Sequence, residues 1–506
     1  MITIPAVLAR NRRIRRDHPA VIDDRGELTH GELAERAGWL AAWLRAGGLE
    51  RAEPVAVLSG NGVFAAEAFC GVAAAGGVAA MLNWRWAPPE LAAAIAESGA
   101  RTLLVEDDMA DAAHAALASG SLDDRALAVV TADEVWSLAA LSGGDLPTMA
   151  LDDPVVMLFT GGTTGTSKGV VLSHGNVMAN CVNEIADTDM AATDITLCVT
   201  PMHHSASLLC WFLPHLVLGA TTVLQRRADE ARSLELMVRH GVTNTFMVPT
   251  MVRRLLASGV LARQSPPSLR RLYVGGSAFT MPDKLALREA LPDVQLYYQY
   301  GLTEAGPIVT RLRPEDMYDP DLDGSIGYEF LLTEVSFRDA EGHVVDDGDD
   351  GELWVRGPNV MLGYHRRPDA TADVLVDGWL RTGDVGTRGP RGEVWFRGRE
   401  KELIKSGGEN VFAGEVEQAL LRHPAVSEAA VLGWASEEWD EEVRAIVVLR
   451  SGREGVDETA LRAHCRDHVA GYKVPKRIAI VADGEVPVSP TGKILKRQLR
   501  GTFEWP

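Results

Sequence analysis

Cysteine is scarce in this sequence, and positive charge does not dominate it. Five cysteines occur in 506 residues, at positions 70, 181, 198, 210 and 465, and no two of them form a CxxC pair. A scattered set of odd number predicts reduced, intracellular thiols, and it argues against a disulfide framework and a zinc site. The formal net charge of −20 argues against nucleic acid and anionic membranes as partners, because both would repel the chain.

An uninterrupted membrane-spanning run is also absent. The longest apolar stretch, residues 55–82, is interrupted by Asn61 and Glu67 and is rich in Ala and Gly, so it predicts a strand, a buried helix and a second strand. The basic stretch RNRRIRR at 10–16 lacks the apolar core of a secretory signal. It leaves open a targeting presequence or the exposed basic face of a helix. We predict a cytoplasmic protein without an integral membrane segment.

What the sequence does contain is an alternation of strand and helix patterns. Short β-branched runs such as VAVLS, VVMLF and TNTFMVP are separated by helical stretches rich in Ala and Leu. That alternation predicts an α/β fold with largely parallel sheets, and the length predicts more than one domain. Beyond residue 325 short strands between Gly and Asp turns predict an antiparallel β subdomain, and from about residue 400 a mixed pattern predicts a small second domain.

The stretch FTGGTTGTSKG at 159–169 follows the apolar run VVMLF. A strand that leads into small residues and a lysine predicts a phosphate loop, because bare backbone N–H groups can approach an anion closely. The common nucleotide loop has GK followed by Ser or Thr, whereas Lys168 here stands between Ser167 and Gly169. The chemistry that uses this loop must therefore be identified from other residues.

Three further residues have side chains that could take part in phosphate chemistry. Glu304 in YGLTE could anchor Mg²⁺ beside a phosphate, although an isolated glutamate is more often a solvated turn residue. Asp384 in RTGDVG could accept protons from both ribose hydroxyls, although alone it would be a turn former. Lys493 in PTGKILK would by itself be an ordinary surface charge.

In this order and at these separations, the motifs resemble the adenylate-forming superfamily of acyl-CoA synthetases, luciferases and peptide-synthetase adenylation domains. FTGGTTGTSKG is similar to the phosphate loop of that family, YGLTE to its Thr-Glu motif and RTGDVG to its ribose motif. GREKELIKSGGENV, AGYKVPK and PTGKILK are similar to the linker and closing motifs of its C-terminal domain. The resemblance extends from residue 28 over the rest of the chain.

The resemblance implies a large N-terminal domain with two mostly parallel α/β sheet subdomains and a small β subdomain, and a mobile α+β C-terminal domain. The implied domains are 1–398 and 403–506, joined by a hinge at 399–402 that turns about Lys401. The implied reaction needs ATP, Mg²⁺ and coenzyme A. A carboxylate attacks the α-phosphate, pyrophosphate leaves, and a thiol then takes the acyl group from acyl-AMP, so the chain would be an AMP-forming acid–thiol ligase.

The resemblance also assigns roles to individual residues. Lys493 would bridge the substrate carboxylate and the α-phosphate, and His204 would gate the CoA tunnel near the reacting carbonyl. Thr163 and Glu304 would serve the magnesium site and complete the catalytic set. The implied nucleotide-binding residues are Thr160, Gly161, Gly162, Thr163, Thr164, Gly165, Lys168, Gly276, Ser277, Ala278, Gln299, Tyr300, Gly301, Thr303, Glu304, Asp384, Arg399 and Lys493.

Two further groups follow from the resemblance. The implied CoA contacts are Arg85, Ser406, Gly407, Gly408, Glu409, Trp439 and Tyr472, and the implied acyl pocket comprises Ser205, Ser207, Trp211, Val248, Gly301 and Pro307. No acid lies between residues 200 and 211, where an adenylation domain for amino acids needs one to hold the substrate ammonium. The apolar lining favours a fatty, aromatic or bulky cyclic acid.

Four positions depart from the family pattern. Gly161 replaces a common Ser, Ser167 and Ala413 each replace a Pro, and Val474 stands where some relatives have a CoA-binding Arg. These departures leave open a chain specialised for one half-reaction, such as CoA transfer to a supplied acyl-AMP. Loading of a carrier-protein phosphopantetheine is a less favoured alternative, as is a non-catalytic protein that binds an acyl or nucleotide ligand. A homodimer is also left open.

The role implied for Lys493 gives a first prediction. Lys493→Ala should abolish acyl-AMP formation and largely spare CoA transfer from supplied acyl-AMP, because its charge is needed only while the α-phosphate reacts. Acid-dependent release of pyrophosphate measures the first half-reaction, and thioester formation measures the second. Unchanged pyrophosphate release in the variant would contradict the assignment.

Overall fold

The computed structural model describes residues 2–119, 127–139, 147–160, 167–406, 409–436, 438–453, 455–488, 494–503 and 505. The strands of this part are β1 Pro19–Ile22, β2 Glu27–Thr29, β3 Pro54–Leu58, β4 Val78–Leu82, β5 Thr102–Val105, β6 Ala128–Thr131, β7 Pro154–Thr160, β8 Lys168–Ser173, β9 Ile195–Cys198, β10 Thr221–Leu224, β11 Asn244–Met247, β12 Arg271–Gly275, β13 Gln295–Gly301, β14 Ile308–Leu312, β15 Ser325–Glu329, β16 Glu334–Arg338, β17 Gly351–Arg356, β18 Gly363–Tyr364, β19 Leu375–Val376, β20 Trp379–Arg388, β21 Val394–Arg399, β22 Leu403–Ser406, β23 Glu409–Phe412, β24 Val426–Ser436, β25 Asp440–Leu449 and β26 Arg477–Val481.

The α-helices of the same residues are α1 Ile4–Ile14, α2 His30–Ala46, α3 Val63–Ala75, α4 Pro88–Ser98, α5 Ala110–Ala118, α6 Ala132–Ala139, α7 His174–Asp187, α8 Leu213–Leu218, α9 Glu230–His240, α10 Pro249–Ala257, α11 Val260–Arg263, α12 Met281–Ala290, α13 Pro368–Val374, α14 Ala413–Leu421, α15 Glu458–Arg466 and α16 Lys496–Thr502. A π-helical turn spans Ala206–Phe212, and short 3₁₀ turns include Thr303–Ala305, Glu400–Glu402 and Gly471–Lys473.

The apolar stretch 55–82 forms β3, α3 and β4, which confirms the prediction of strand, buried helix and strand. Helix α3 is buried along almost its whole length and packs against α2. A Cβ at Gly71 would lie 2.5 Å from a side-chain carbon of Leu40, so a glycine is needed where these helices cross. In the described part of the chain, no helix has the length and apolar content needed to cross a bilayer.

The basic stretch at 10–16 lies at the end of α1. Arg12 and Arg16 both pair with Glu35 of α2, at 3.1 and 3.2 Å. The stretch therefore forms the partly exposed, ion-paired face of a helix in the folded domain.

The first sheet positions the predicted phosphate loop. Its strands lie in the order β18-β8-β7-β4-β3-β5-β6, and those from β7 to β6 are parallel. β7 and β8 are antiparallel neighbours, with Thr160 opposite Lys168. The predicted loop therefore connects a hairpin at the carboxyl edge of parallel strands, the edge where α/β folds bind ligands.

The second sheet has the order β16-β17-β20-β21-β15-β14-β13-β12-β11-β9-β10-β1-β2. Its strands β1, β10, β9, β11, β12 and β13 are parallel, and those from β14 to β16 are antiparallel. Because β15 pairs with both β14 and β21, the β subdomain continues the second sheet. The sequence predicted this subdomain but not its continuity with the parallel strands.

The C-terminal residues form a third sheet with its own helices. β22, β23, β24 and β25 pair antiparallel, and β26 adds to β25 in parallel. Separate hydrophobic cores form on the two faces of this sheet, around Val443 and around Ile446. The predicted α/β fold, with two mostly parallel sheets, a β subdomain and a small α+β C-terminal domain, is thus confirmed.

Ion pairs join the C-terminal domain to the rest of the protein. Arg450 contacts the fully buried Asp283 at 2.6 Å, and Arg253 contacts the other oxygen of that carboxylate at 2.9 Å. Arg422 donates to the backbone carbonyl of Asp323 at 3.0 Å. The joining surface is therefore rich in charge.

Buried Asn61 links the two parallel sheets. Its amide nitrogen donates to the carbonyls of Thr200 and Gln225 at 2.7 and 3.1 Å, and its oxygen accepts from the N–H of Met202 at 2.7 Å. These three groups lie just beyond β9 and β10 of the second sheet, whereas Asn61 follows β3 of the first. One side chain thus fixes the segment that leads to His204.

This contact gives a stability prediction. Asn61→Ala should lower the free energy of unfolding by about 3 kcal/mol, because it leaves the buried Gln225 carbonyl and the buried Met202 N–H without their side-chain partner. Chemical denaturation measures the loss. Asn83→Ala is the matched control, since the side chain of Asn83 accepts from the backbone N–H of exposed Arg85. Equal losses in the two variants would contradict the linking role of Asn61.

Candidate active site

Strand pairing assembles the residues predicted to hold the ribose. Antiparallel β20 and β21 place Asp384 opposite Arg399, and Tyr300 approaches from the end of β13. Tyr300 donates its hydroxyl to one oxygen of Asp384 at 2.5 Å, and Arg399 Nε donates to the other at 3.1 Å. Asp384 is 2% exposed. Burial first, and then the charge of Asp384, raises the pKa of Tyr300 well above its ordinary value, so the hydroxyl keeps its proton.

The predicted nucleotide-binding residues Gly276, Ser277 and Ala278 lie at the neighbouring strand end. β12 and β13 are parallel, so residues 276–278 and Tyr300 leave the sheet at the same edge. Gly276 and Ser277 are exposed there, and the Ser277 carbonyl accepts from the hydroxyl of Tyr298 at 3.0 Å. Ala278 packs against the core of the C-terminal domain. This edge is thus open beside Tyr300 and bounded by the small domain.

Glu304 lies in the 3₁₀ turn Thr303–Ala305, immediately after β13. Tyr364 of β18 donates its hydroxyl to Glu304 Oε1 at 2.9 Å, and Lys168 Nζ lies 4.6 Å from the centre of the Tyr364 ring. Thr303 and Ser205 share a hydrogen bond of 3.1 Å between their hydroxyls. The structure thus brings Lys168 of β8 and Glu304, which follows β13, together around Tyr364. Tyr364 was not among the residues predicted from the sequence.

The donor set at Glu304 is compatible with magnesium. Among the described residues, no group of three or more His, Cys, Asp or Glu side chains could hold a metal ion. One carboxylate nevertheless fits Mg²⁺, which usually takes one or two protein carboxylates and fills its other positions with phosphate and water. Glu304 is such a carboxylate at the edge that carries the predicted nucleotide residues.

Several predicted residues lie outside the described part of the chain. They are Gly161, Gly162, Thr163, Thr164 and Gly165 of the phosphate loop, Gly407 and Gly408, and Lys493. The flanks of the segment that carries Lys493 are described. Lys496 pairs with Glu402 and Glu417 at 2.5 and 2.8 Å, and these carboxylates raise its pKa although burial opposes the charge. Lys493 thus stands three positions before Lys496 in the sequence, and Lys496 is paired with Glu402 of the predicted hinge.

Of the two histidines of PMHH, His203 is buried and His204 is half-buried, and the pKa of both imidazoles is lowered. Burial, followed by the charge of Arg85, lowers the pKa of His204 to about 4, and the pKa of His203 is also lowered, chiefly by burial. Within the described residues, Nε2 of His204 has no hydrogen-bond partner. Arg85 itself is exposed and lies over the ring of Trp84, 4.9 Å from its centre. A neutral imidazole and a nearby guanidinium thus occupy the predicted entrance for CoA.

Other predicted CoA residues gather at one end of the C-terminal sheet. Ser406 pairs with Glu409 across the β22–β23 hairpin and with Asp440 at the start of β25. Trp439 precedes that strand, and Lys476 Nζ lies 3.9 Å from the centre of its ring. Tyr472 is 41% exposed on a separate 3₁₀ turn. Exposed Lys401 lies in the 3₁₀ turn that leads into this sheet.

Val474 belongs to the core of this domain. It is 4% exposed and packs in the cluster that contains Val443 and Leu461. Val474, which stands where some relatives have a CoA-binding arginine, is therefore an apolar packing residue.

The predicted acyl-pocket residues have different surroundings. Ser205 and Ser207 flank the start of the π-helical turn, and Ser207 donates to the Thr200 carbonyl at 2.6 Å. Trp211 is 1% exposed, and its ring centre lies 4.5 Å from that of Phe246. Val248 is also buried. Trp211 thus belongs to an aromatic part of the core.

Gly301 allows two pocket segments to meet. A Cβ at this position would lie 2.0 Å from the Pro307 carbonyl oxygen, which accepts from the N–H of Leu302 at 2.8 Å. A side chain at Gly301 would separate these segments, so the glycine is required by close backbone approach.

Helix α7 presents buried polar side chains that the sequence analysis missed. Asn180 donates to the Leu209 carbonyl of the π-helical turn at 2.9 Å and accepts from the N–H of Ile308 at 3.3 Å. It thereby ties two walls of the predicted pocket together. A π-helical turn disrupts the regular hydrogen-bond ladder, and a side-chain donor at its carbonyl stabilises it.

Glu184 of the same helix is completely buried. Gln299 donates its amide to Glu184 Oε2 at 2.8 Å, and burial raises the pKa of Glu184 to about 8. The side chain of Gln299, a predicted nucleotide contact, is thus engaged with helix α7. Glu184 is one turn from Asn180 and lies beside the Cys210 thiol of the π-helical turn, whose pKa is raised well above its ordinary value, chiefly by burial. A protonated acid therefore lies behind the predicted acyl pocket.

The comparisons with known proteins agree with this geometry. The family model described as AMP-binding enzyme matches residues 8–365, and the model described as AMP-binding enzyme C-terminal domain matches residues 415–493. The chain is 38% identical to a feruloyl-CoA synthase of Amycolatopsis sp over 94% of each chain. It is 34% identical to the sulfoacetate–CoA ligase of Cupriavidus necator, over 98% of this chain and 97% of the relative.

A solved structure is similar over almost the full length. The crystal structure of ATP-bound MatB from Rhodopseudomonas palustris superposes with a TM-score of 0.86 and 28% identity, over 99% of each chain. Both the sequence and the architecture are therefore shared with proteins that bind ATP or form CoA thioesters.

Buried Glu184 gives a pH prediction. Its pKa is about 8 in the folded protein against an ordinary value of 4.5. Between these values the unfolded chain has released the proton that the folded protein keeps, so the free energy of unfolding falls as the pH rises. Glu184→Gln removes this effect, and its stability relative to the unaltered protein should increase by up to about 4 kcal/mol between pH 5 and pH 8. Denaturation at both pH values measures the difference.

The matched control is Glu289→Gln, which changes an exposed glutamate of α12. It should differ from the unaltered protein by a similar amount at both pH values. A Glu184→Gln difference that is the same at pH 5 and pH 8 would show that Glu184 is ionised in the folded protein.

Proposed function

The chain belongs to the AMP-binding enzyme family of adenylate-forming acid–CoA ligases, and on that premise we propose that it joins a hydrophobic carboxylic acid to coenzyme A. The observation that carries the proposal is the assembly of Asp384, Tyr300 and Arg399 beside Glu304 and Lys168. These residues come from five separate segments and meet at the carboxyl edge of the sheets. Their chemistry suits ribose hydroxyls, a metal-bound triphosphate and a phosphate loop at adjoining positions.

In the first half-reaction, a carboxylate oxygen of the acid bonds to the α-phosphorus and the bond to pyrophosphate breaks. Asp384 would accept from the ribose hydroxyls, and the open edge at residues 276–278 would take the adenine. Glu304 would hold a magnesium ion, which would supply positive charge to the triphosphate. Lys493 would place a further cation between the two repelling anions, so that catalysis depends mainly on positioning and fixed charge.

In the second half-reaction, the CoA thiol attacks the acyl carbon and AMP leaves. His204 supports this step because its imidazole is neutral, with a pKa of about 4, and its Nε2 has no partner within the described residues. The nitrogen would therefore be available for a hydrogen bond beside the reacting carbonyl, as donor or acceptor according to the tautomer. Arg85 would meet the phosphates of CoA outside, and the C-terminal domain would turn about Lys401 to exchange Lys493 for the hairpin that carries Ser406 and Glu409.

The surroundings of the acyl pocket favour an uncharged substrate chain. The predicted lining residues are small or apolar, and buried Glu184 is protonated at neutral pH because its pKa is raised to about 8. It therefore offers no counter-ion for the ammonium of an amino acid, and the pocket residues offer no cation for a sulfonate or second carboxylate. A fatty, aromatic or bulky cyclic acid fits this lining.

A panel of acids tests the proposal. Medium- and long-chain fatty acids, hydroxycinnamic acids, a bulky cyclic acid, amino acids and sulfoacetate are each incubated with ATP, Mg²⁺ and CoA. Acyl-AMP and thioester are scored separately by mass. We expect both products from at least one hydrophobic acid and neither from the amino acids or sulfoacetate. Thioester only on a holo-carrier protein would reassign the acceptor, and no acid-dependent product with any acid would refute the proposal.

Asp384→Asn provides the matched site variant. It should raise the KM for ATP by about tenfold or more, because the anionic acceptor for the ribose is lost. Asp339→Asn, at an exposed turn of the same β subdomain, should leave the KM unchanged.

A further inference from the structure

Residues 359–365, here called the strap, lie between the turn that carries Glu304 and β8, the strand that begins with Lys168. The strap is hydrogen-bonded to both. On one side, the side chain of Asn359 donates to the Ala305 carbonyl at 2.5 Å, and the N–H of Met361 donates to the Glu304 carbonyl at 2.9 Å. The strap therefore fixes the backbone on which the predicted magnesium ligand stands.

On its other side, the strap is hydrogen-bonded to β8. The N–H of Leu362 donates to the Val171 carbonyl at 2.9 Å, and the N–H of His365 donates to the Gly169 carbonyl at 2.7 Å. Gly363 and Tyr364 between them form β18, the edge strand of the first sheet. One short segment thus holds the exit of the predicted phosphate loop and the turn of the predicted metal ligand in a common frame.

Tyr364 is the side chain that spans this frame. Its hydroxyl donates to Glu304 Oε1 at 2.9 Å, and its ring lies beneath Lys168, with Nζ 4.6 Å from the ring centre. The ammonium is thus held over the face of the ring and the carboxylate at its hydroxyl.

The arrangement solves an electrostatic problem. Lys168 and Glu304 carry opposite charges, and both must face the nucleotide in the proposed reaction. A direct ion pair would turn each toward the other and offset the charge that each presents. A phenol satisfies both separately, because its ring face attracts the cation and its hydroxyl donates to the anion.

Simple packing does not account for this ring. Tyr364 is half-buried and lines a cleft of about 370 Å³ together with Val171, Leu362 and Thr371. Loss of its hydroxyl would therefore leave no dry cavity in a close-packed core. A role in orienting Glu304 and Lys168 explains why a hydroxyl is present at this position.

We propose that Tyr364 is a positioning residue for the phosphate chemistry, which keeps Glu304 and Lys168 apart and directs both toward the metal-bound triphosphate. The proposal rests on the proposed function, since it assigns a task within that site. The proposal goes beyond that function because it assigns the coupling between Lys168 and Glu304 to a single side chain of the strap.

Tyr364→Phe separates the two contacts, because it keeps the ring under Lys168 and removes the hydroxyl from Glu304. The Mg²⁺ concentration for half-maximal acyl-AMP formation should rise about tenfold, the effect of one charge-assisted hydrogen bond. The same increase should appear in the Mg²⁺ dependence of ATP binding measured by calorimetry, without any acid present. Thioester formation from supplied acyl-AMP should stay unchanged, because that step involves no triphosphate.

Tyr364→Leu removes both contacts and should add an increase in the KM for ATP to the altered Mg²⁺ dependence. Tyr364→Phe combined with Glu304→Gln should be no worse than Glu304→Gln alone, because the lost hydroxyl acts through that carboxylate. Combined with Lys168→Met it should be additive, because Phe retains the contact with the lysine.

Tyr318→Phe is the matched control. Tyr318 is also half-buried beneath a cation, with Arg288 4.4 Å from its ring centre, but it makes no contact with Glu304 or Lys168. Its Mg²⁺ dependence should equal that of the unaltered protein. Thermal unfolding of all variants should differ by only a few degrees.

Unaltered Mg²⁺ dependence of ATP binding and acyl-AMP formation in Tyr364→Phe would overturn the proposal. Additivity with Glu304→Gln would also overturn it. If the Phe variant unfolds, the same cycle is read in the Mg²⁺ dependence of Tyr364→Leu, because the loss of the Lys168 contact appears in the KM for ATP. If the unaltered protein binds ATP with Mg²⁺ but activates no acid, the proposed function fails, while the calorimetric shift in Tyr364→Phe still decides the role of Tyr364.

Discussion

This chain has a net charge of −20, whereas ATP and CoA are polyanions. A site for such ligands therefore needs cations whose charge is not cancelled by neighbouring carboxylates. In the described part of the chain, many arginines at the surface are paired with carboxylates, as Arg51 is with Asp153 and Arg101 with Glu53. Near three of the predicted ligand positions, cations also lie over aromatic faces: Arg85 over Trp84, Lys168 over Tyr364 and Lys476 over Trp439. An aromatic face holds a cation in place without cancelling its charge, so the cation can still attract phosphate. The geometry alone does not mark a site, because Arg338 lies between Trp354 and Trp379 in the β subdomain. What distinguishes Lys168 is that its aromatic partner also holds the candidate metal ligand.

The site depends equally on buried polar side chains that join separate layers. Asn61 connects the two parallel sheets, Asn180 connects the π-helical turn to the strand after Pro307, and the Tyr300–Asp384 pair connects the parallel and antiparallel halves of the second sheet. A buried polar group without a partner is costly, so each such contact specifies one arrangement of its segments more sharply than apolar packing would. The polar face of α7 shows the same principle, because Glu184 is retained as a neutral acid beside Gln299.

The parts of the site that could be predicted from sequence are those whose chemistry is written in short motifs. Asp384, Arg399, Tyr300 and Glu304 lie in such motifs, and the structure brings all four to one edge. Tyr364, Asn61 and Glu184 could not be found in this way, since their partners lie 60, 139 and 115 positions away along the chain and their local contexts are ordinary. Gln299 shows the limit of motifs, because its backbone lies at the predicted edge while its side chain is directed to α7. Likewise, the β subdomain was predicted from turn spacing, but the pairing of β15 with β21 depends on contacts about 70 residues apart.

The join between the two domains favours a C-terminal domain that can detach. Asp283 keeps Arg253 as a partner from its own domain, so departure of Arg450 would not leave a buried carboxylate without a counter-ion. Asp323 similarly keeps Lys284 at 3.1 Å when Arg422 leaves. Breaking a buried pair is expensive chiefly when one charge is left alone, and here each acid retains a cation of its own domain. Charged surfaces of this kind are also readily hydrated after separation, whereas an apolar join would expose area that favours closure. The ion pairs can therefore hold the small domain in one orientation and still permit the rotation that the proposed two-step reaction requires.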